Sequence, residues 1–362
     1  MSDRKALPPA GSRQHLRDSS SPTRRPPQRP SLSDLLSLVR APAALSVPGD
    51  ILAGATAAGR PLGPRTVGAM ASSVCLYWAG MALNDYADAA VDSVERPARP
   101  VPSGRVPRRT ALAVATGLTG AGLGLAAVSG GRRGLAVALP LTALVWAYDL
   151  KLKSTPAGPA AMAGARALDV LAGAVAGGGS PPWHASRKGG TAASLARGAA
   201  PALLTGVHTY TITALSRHEI SGAPARLPAT TLAVSSATAL STVLPSVLPS
   251  VLSSVLPRVL PSRPAVLAGG PPRRARTRAE NARTAVASAG VVAYLGTYGL
   301  AQARAVHDPR ASSVRRAVGA GILAMVPLQA ALTARAGAPV AAALLGTLHP
   351  VARSLARRVS PT

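Results

Sequence analysis

Phenylalanine is absent from this 362-residue chain, and only 2% of its residues are aromatic. Helices packed without Phe must rely on small residues, with Gly and Ala letting backbones approach closely. A single cysteine, Cys75, excludes a disulfide framework, and its place inside an apolar block marks it as a small core residue. Charge is scarce too: 15% of the residues are charged, against about a quarter in an ordinary soluble domain. The alternating Val, Ile and Thr patterns of strands are rare, which argues against a sheet. No hydrophilic block is long enough to fold as a second soluble domain, although length alone allows one. The first thirty residues are basic and rich in Pro and Ser, and they lack the apolar centre of a cleavable signal peptide.

What fills the chain instead is Ala, Leu, Gly and Val in long blocks parted by short Arg-bearing segments. The blocks fall at roughly 41–59, 66–83, 110–129, 134–149, 160–178, 196–215, 229–256, 284–302 and 317–347. Each is near the roughly 20 residues that a helix needs to cross the hydrocarbon layer, and the last could divide into two shorter segments. The expected fold is all-α: a polytopic membrane protein of about nine transmembrane helices. Residues 1–30 read as a disordered basic tail, 31–352 as the membrane domain and 353–362 as a second basic tail. Ser31 to Arg40 reads as an amphipathic lead-in lying on the membrane surface. A low-complexity run from Val243 to Ser262 is punctuated by Pro245, Pro249, Pro257 and Pro261. Those prolines argue against one straight helix, so 240–283 reads as an insertion.

The formal charge of +27 invites a nucleic-acid reading. The basic residues, however, gather on no single motif. They lie at the N-terminus and between apolar blocks, where anionic headgroups and the positive-inside rule place them. The expectation is a bilayer partner and no nucleic acid. Through the first six crossings Lys and Arg favour the side that carries the N-terminus, which puts that side in the cytoplasm of a multi-pass cell-membrane protein.

The 13 acidic residues are the most informative feature. Four of them, Asp85, Asp88, Asp92 and Glu95, crowd the end of the second apolar block in the pattern Asn84-Asp85-x-x-Asp88-x-x-x-Asp92. On a helix this spacing sets Asn84, Asp85, Asp88 and Asp92 along one face. Adjacent like charges are unfavourable unless a cation neutralises them. Mg²⁺ prefers carboxylate oxygens and binds through one or two of them plus substrate phosphates, so the face suits a Mg²⁺–diphosphate complex. A solvated acidic helix end is the plainer reading, but the scarcity of acids elsewhere favours ligand binding. Arg96, Arg99 and Arg105 follow in a Pro-rich loop and match diphosphate oxygens bidentately; the alternative is a positive-inside loop. Two further acids, Asp50 and Asp169, lie within apolar blocks, and Asp169 is three residues from Arg166, its expected structural partner.

Asn84-Asp85-x-x-Asp88-x-x-x-Asp92 followed by Arg96-Pro-x-Arg99-Pro-x-x-Ser103-Gly104-Arg105 resembles the first aspartate-rich motif of the UbiA superfamily of intramembrane prenyltransferases. Leu38-Val-Arg-Ala-Pro42 is similar to that family's lead-in. Tyr148-Asp-Leu-Lys-Leu-Lys153 is similar to its diphosphate-holding loop. His208 to Glu219 ends the sixth block where the second aspartate-rich motif belongs. The resemblance covers about residues 35 to 225. It implies a helical bundle around a central cavity, with Mg²⁺ as cofactor and two partners, an isoprenyl diphosphate and a lipophilic acceptor. Asp85, Asp88 and Asp92 would take the catalytic and metal-binding roles, joined by Asp149 and Glu219 at the metal. Asn84, Arg96, Arg99, Lys151, Lys153 and Arg217 would contact the diphosphate. One departure stands out: the second motif offers Glu219 where the family usually has two or more aspartates, which puts a second Mg²⁺ site in doubt.

The implied reaction is electrophilic alkylation: the allylic C–O bond ionises, and an electron-rich acceptor attacks the cation in a water-poor cavity. Tyr77, Trp146 and Tyr210 stand in the right regions to shield a cation with their π-faces, though packing roles suit each equally. His208 and His218 could move a proton or serve structurally. The competing function is a polytopic transporter using intramembrane carboxylates, but the Asn84–Asp92 pattern has no second copy in the chain.

Overall fold

Ala and Leu favour helices, and a backbone in hydrocarbon must satisfy its own hydrogen bonds. In the computed structural model, accordingly, every regular element among the described residues is helical. The structure describes residues 30–40, 44, 46–177, 190–255 and 273–359. All but the last residue of the expected 1–30 tail, Ala41 and Pro42 of the lead-in, residues 256–272 of the expected insertion, and 360–362 lie outside them.

A short α1 (Leu32–Leu38) opens on a capping box: the Ser31 side chain accepts from the Asp34 backbone, and Asp34 accepts from the Ser31 N–H. Then come α2 (Val47–Ala57), α3 (Pro64–Ala87), the short α4 (Ala89–Glu95), α5 (Arg108–Leu150), α6 (Gly158–Val175) and α7 (Thr191–Ser216). They are followed by α8 (Arg226–Val255), α9 (Arg273–Tyr294), a π-helical turn at Leu295–Gly299, α10 (Leu300–His307), α11 (Ala311–Arg335) and α12 (Pro339–Val359).

Among the described residues five stretches are long and apolar enough to cross a membrane: Pro64–Ala87, Arg108–Leu150, Arg226–Leu244, Arg278–His307 and Ala311–Arg335. That is fewer than the nine expected. However, α5 has 43 residues, enough for two crossings, and it is kinked at Gly131 (φ 60, ψ −146), a conformation that glycine reaches readily. Its two arms are the blocks read at 110–129 and 134–149. The first block yields only the 11-residue α2, started by Pro48 and closed by Gly59 at φ 66. The last block does divide, between α11 and α12 at Gly337 (φ 100). Against the expectation from its prolines, α8 continues through Pro245 and Pro249 to Val255. Apolar surroundings tolerate such interruptions where neighbours re-satisfy the freed carbonyls.

Small residues do the packing, as the missing Phe required. A Cβ on Gly54 would lie 1.8 Å from the Val170 carbonyl oxygen, and one on Gly173 would lie 2.2 Å from that of Ile51. Through this pair α2 and α6 meet backbone to backbone. The most buried of these candidate spans is α11, packed against α2, α7, α9 and α12.

Candidate active site

The acidic motif sits where α3 stops. Asp88 has φ −87 and ψ 4, which ends α3 and separates it from α4. The single continuous face expected from the spacing is therefore interrupted. Instead, the break spreads the acids over several partners drawn from distant parts of the chain.

Asp85 is buried and receives Arg40 at 2.8 Å and Arg99 at 3.5 Å. Asp92, also buried, takes the other contact of Arg99, so one guanidinium joins acids on both sides of the break. Asp88 is paired with Lys153 at 2.6 Å, and the Asn84 amide donates to Asp149 at 3.2 Å. Three segments are thereby drawn onto the end of α3: the lead-in through Arg40, the loop after α4 through Arg99, and the turn after α5 through Lys153. Leu38 anchors the first of them, fully buried in a cluster with Leu83, Val101, Val106 and Ala111. Arg40 itself has φ 48, the one positive φ outside glycine among the described residues. Such a conformation costs about 1 kcal/mol for a residue with a Cβ, and the ion pair to Asp85 holds it in place.

The remaining expected residues are more dispersed. Lys151 is exposed and makes no ion pair among the described residues. Exposed Arg217 donates from Nη1 to the Thr155 carbonyl at 2.6 Å. Glu219 is half-buried on the turn after α7, within the fields of Arg96 and Arg315. Burial pushes its carboxyl above the ordinary glutamate range, and those two arginines oppose the rise. Among the described residues no three His, Cys, Asp or Glu side chains converge as a metal-binding group. The carboxylates are neutralised by Arg40, Arg99 and Lys153 instead.

The donor set nevertheless fits a hard divalent cation. It consists of carboxylate and amide oxygens at one helix end, and the cations interleaved with them are of the kind that bind phosphate. Arg40 belongs with this set, and sequence reasoning did not assign it there. Its only signal was the lead-in segment that carries it, since nothing local ties residue 40 to residue 85.

Other expectations are corrected. Arg166 pairs with Asp50 on α2 at 2.8 Å, and Asp169 is held by Ser73. The α2–α6 approach through Gly54 and Gly173 puts the cross-helix partner within reach. Tyr210 is 48% exposed, on the outside of the bundle, so it shields nothing inside. Trp146 packs against the Leu83 cluster and donates to Thr119. His208 is fully buried between Tyr294 and the Gly321 carbonyl. That carbonyl can only accept, so Nε2 carries the hydrogen, Nδ1 takes the Tyr294 O–H, and the role is structural.

A sequence model of the UbiA prenyltransferase family matches residues 47–271, more than half of the chain. The chain belongs to the UbiA prenyltransferase family. It is similar to digeranylgeranylglyceryl phosphate synthase of Methanopyrus kandleri, 44% identical over 111 residues, which is 30% of this chain and 38% of that protein. It is also similar to the enzyme of the same name from Methanoregula boonei, 41% identical over 118 residues, 32% of this chain and 40% of that one. The matches thus span about two-fifths of these relatives. Among solved structures, the apo form of a UbiA homolog from Aeropyrum pernix K1 shares the fold. Its TM-score is 0.54 at 18% identity, covering 83% of this chain and 98% of that one. A UbiA-type membrane bundle with its acidic motif at the end of α3 is therefore the frame for function.

Proposed function

We propose that this protein transfers a prenyl group, within the membrane and with Mg²⁺, from an isoprenyl diphosphate to a lipophilic acceptor. One observation carries the reading: at the end of α3 three aspartates alternate with Arg40, Arg99 and Lys153. A surface meant only to be stable gains little from buried charges, which are costly to desolvate. A site for a metal–diphosphate complex needs both signs at once. Asp85, Asp88 and Asp92, with Asn84, would hold Mg²⁺, and Asp149 and Glu219 are its further candidate ligands. When bound, Mg²⁺ would supply Lewis-acid neutralisation of the departing diphosphate. Arg40, Arg99 and Lys153 would turn from the carboxylates to the phosphate oxygens. Arg96, Lys151 and Arg217, exposed around the rim, would join them. The guanidinium fork matches two phosphate oxygens at once, which orients the leaving group as well as stabilising it.

The names of the relatives support prenyl transfer to a lipid-like acceptor, and the apolar helices support a multi-pass setting. The membrane domain would run over 31–352 with basic tails at 1–30 and 353–362 and an insertion at 240–283. Its acidic mouth would face the cytoplasm. The test is turnover of geranyl, farnesyl and geranylgeranyl diphosphates by purified protein, with Asp88→Ala alongside. Diphosphate release that requires Mg²⁺ and falls about a thousandfold in the variant is expected. Equal release by both proteins would remove Asp88 from the reaction.

A further inference from the structure

The end of the bundle opposite the acidic mouth carries cations that the mouth does not use. From there α3 runs 24 residues, about 36 Å, before it reaches the acids, so this end lies at the other membrane surface. Arg60, between α2 and α3, is partly buried here, and it is held by neutral acceptors alone. Its Nε donates to the Ala174 carbonyl at 3.1 Å, Nη1 to the Gly177 carbonyl at 3.3 Å and Nη2 to the Ser194 hydroxyl at 2.8 Å. Arg60 thereby ties the end of α6 to the start of α7. Arg197 follows Ser194 by three residues on the same face of α7. Arg133 follows the kink of α5, where Gly130 and Gly134 share a groove with Ala172 and Ala176 from the end of α6. Burial pushes the Arg60 pKa below the ordinary arginine value, and the charges of Arg133 and Arg197 push it further down. Three segments distant in sequence thus bring three guanidinium groups within each other's fields.

Three observations say that these cations face an anion from outside the chain. First, among the described residues no carboxylate pairs with Arg60, Arg133 or Arg197. The sequence 178–189, which joins α6 to α7, contains no acid either. Second, the three stand against the topology. Through the first six crossings Lys and Arg favour the N-terminal side, and this trio lies on the other, where the positive-inside rule leaves cations sparse. Third, Arg133 and Arg197 are exposed, and a guanidinium group cannot shed its charge. Their repulsion of Arg60 is therefore relieved by a counter-anion and by no proton loss. Beside them the groove, about 340 Å³ with its open side included, is walled largely by Ala69, Ala126, Ala138, Leu141 and Ala172. It offers a shallow apolar bed next to the charges.

We infer that Arg60, Arg133 and Arg197 bind the phosphate of an anionic phospholipid in the leaflet opposite the mouth. Three of the five N–H groups of Arg60 are used within the protein, which leaves two for phosphate oxygens. Arg133 and Arg197 close on the same phosphate from either side, each with a fork that matches two oxygens. A lipid fits better than a free anion, because the cations lie at the membrane surface with an apolar groove beside them, so headgroup and chain are satisfied together. A zwitterionic headgroup would bring its own cation to a site that already holds three, and this favours the net-anionic class. The bound lipid bridges α5 to α6 and α7, completing on the open side the tie that Arg60 makes between the last two. This site is separate from prenyl transfer and does not rest on it; it needs only that the bundle spans a bilayer.

The test uses the full chain in neutral detergent with three probes: phosphatidylglycerol, phosphatidylcholine and inorganic phosphate. Lipid retained on the protein is counted by native mass spectrometry over a concentration series, and thermal unfolding is followed in parallel. The variant Arg133→Gln/Arg197→Gln removes two of the cations at exposed positions and so spares the fold. As a control, Arg109→Gln/Arg226→Gln removes the same charge at exposed positions on the mouth side. Wild type should retain phosphatidylglycerol and unfold at a higher temperature with it. Affinity should fall about thirtyfold in Arg133→Gln/Arg197→Gln, about fivefold for each cation lost, and stay within about twofold of wild type in the control. Arg60→Gln, where it folds, should lose affinity as well. Retention that is unchanged in Arg133→Gln/Arg197→Gln, or lost equally in the control, overturns the site. Phosphatidylcholine held as tightly as phosphatidylglycerol overturns the anionic class. Stabilisation by inorganic phosphate equal to that by phosphatidylglycerol overturns the lipid as occupant.

Discussion

Arg99 is the residue on which the acidic mouth depends most, because one guanidinium closes on two buried carboxylates. Removing it leaves Asp85 and Asp92 short of a counter-charge, and breaking a buried pair costs about 3 kcal/mol or more. Arg99→Met should therefore lower the thermal unfolding temperature measurably and weaken donor binding, whereas Arg99→Lys restores charge but only one of the two contacts. A milder case is Asp34. Its bonds to Ser31 hold the carboxyl below the ordinary aspartate range, with Arg105 adding to the effect. A depressed acid contributes stability above its unfolded value and loses it as pH falls through its folded one. Proteolysis within α1 should accelerate as pH drops through that acidic range, and Asp34→Asn should cleave readily at every pH. Glu219 has the opposite sign. Burial raises its value, so its contribution is present at low pH and is lost as pH rises through the folded value. Glu219→Gln should flatten that part of the stability profile, read by unfolding from pH 4 upward.

At this scale the acids themselves were legible, because thirteen of them in a long apolar chain make any cluster conspicuous. Their partners were not. Arg40 reaches Asp85 across 45 residues, Lys153 reaches Asp88 across 65, and Arg166 chose Asp50 over the helix neighbour three residues on. Spacing along a helix finds same-helix neighbours, while ion pairs between helices depend on which backbones approach.

Helices, as elements, were largely written in the apolar blocks, and their deviations have local causes. Gly131 is where α5 kinks, in a Gly- and Arg-rich gap between two blocks that composition already separated. The break at Asp88 was hidden, since Asn84 to Asp92 reads as an unbroken i, i+4 series. The π-helical turn at Leu295–Gly299 was hidden as well. It sets Tyr294 and Tyr298 around His208, whose ring centroid lies 5.2 Å from one and 5.3 Å from the other. The α2–α6 contact makes the sharpest prediction here. Gly173→Ala would place a methyl 2.2 Å from the Ile51 carbonyl oxygen, so the helices must part. A loss of about 2 kcal/mol is expected from thermal unfolding, with Asp50 and Arg166 moved off their contact. Gly117, whose Cβ would meet nothing within 4 Å, should accept Ala without loss.

For the molecule as a whole, the charge of +27 first suggests nucleic acid, yet its distribution between apolar helices belongs to a membrane protein. The acids make the same distinction more sharply: Asp85, Asp88, Asp92, Asp149 and Glu219 all lie at the ends or turns of helices. If the mouth faces the cytoplasm, a cysteine placed at exposed Ser93 in a Cys75→Ala background should react with an impermeant maleimide in inverted vesicles and not in right-side-out ones. The reverse labelling would place the mouth on the other side.

The central claim is that the acidic mouth is a metal-dependent diphosphate site, and binding tests it more directly than turnover. Calorimetric titration of the purified protein with geranylgeranyl thiolodiphosphate, in Mg²⁺ and again in EDTA, separates the metal from the chemistry. The account predicts binding in Mg²⁺, loss of at least about tenfold in EDTA, and a similar loss in Asp88→Ala. Binding equally strong in EDTA and in Asp88→Ala, or no binding at all, would contradict it.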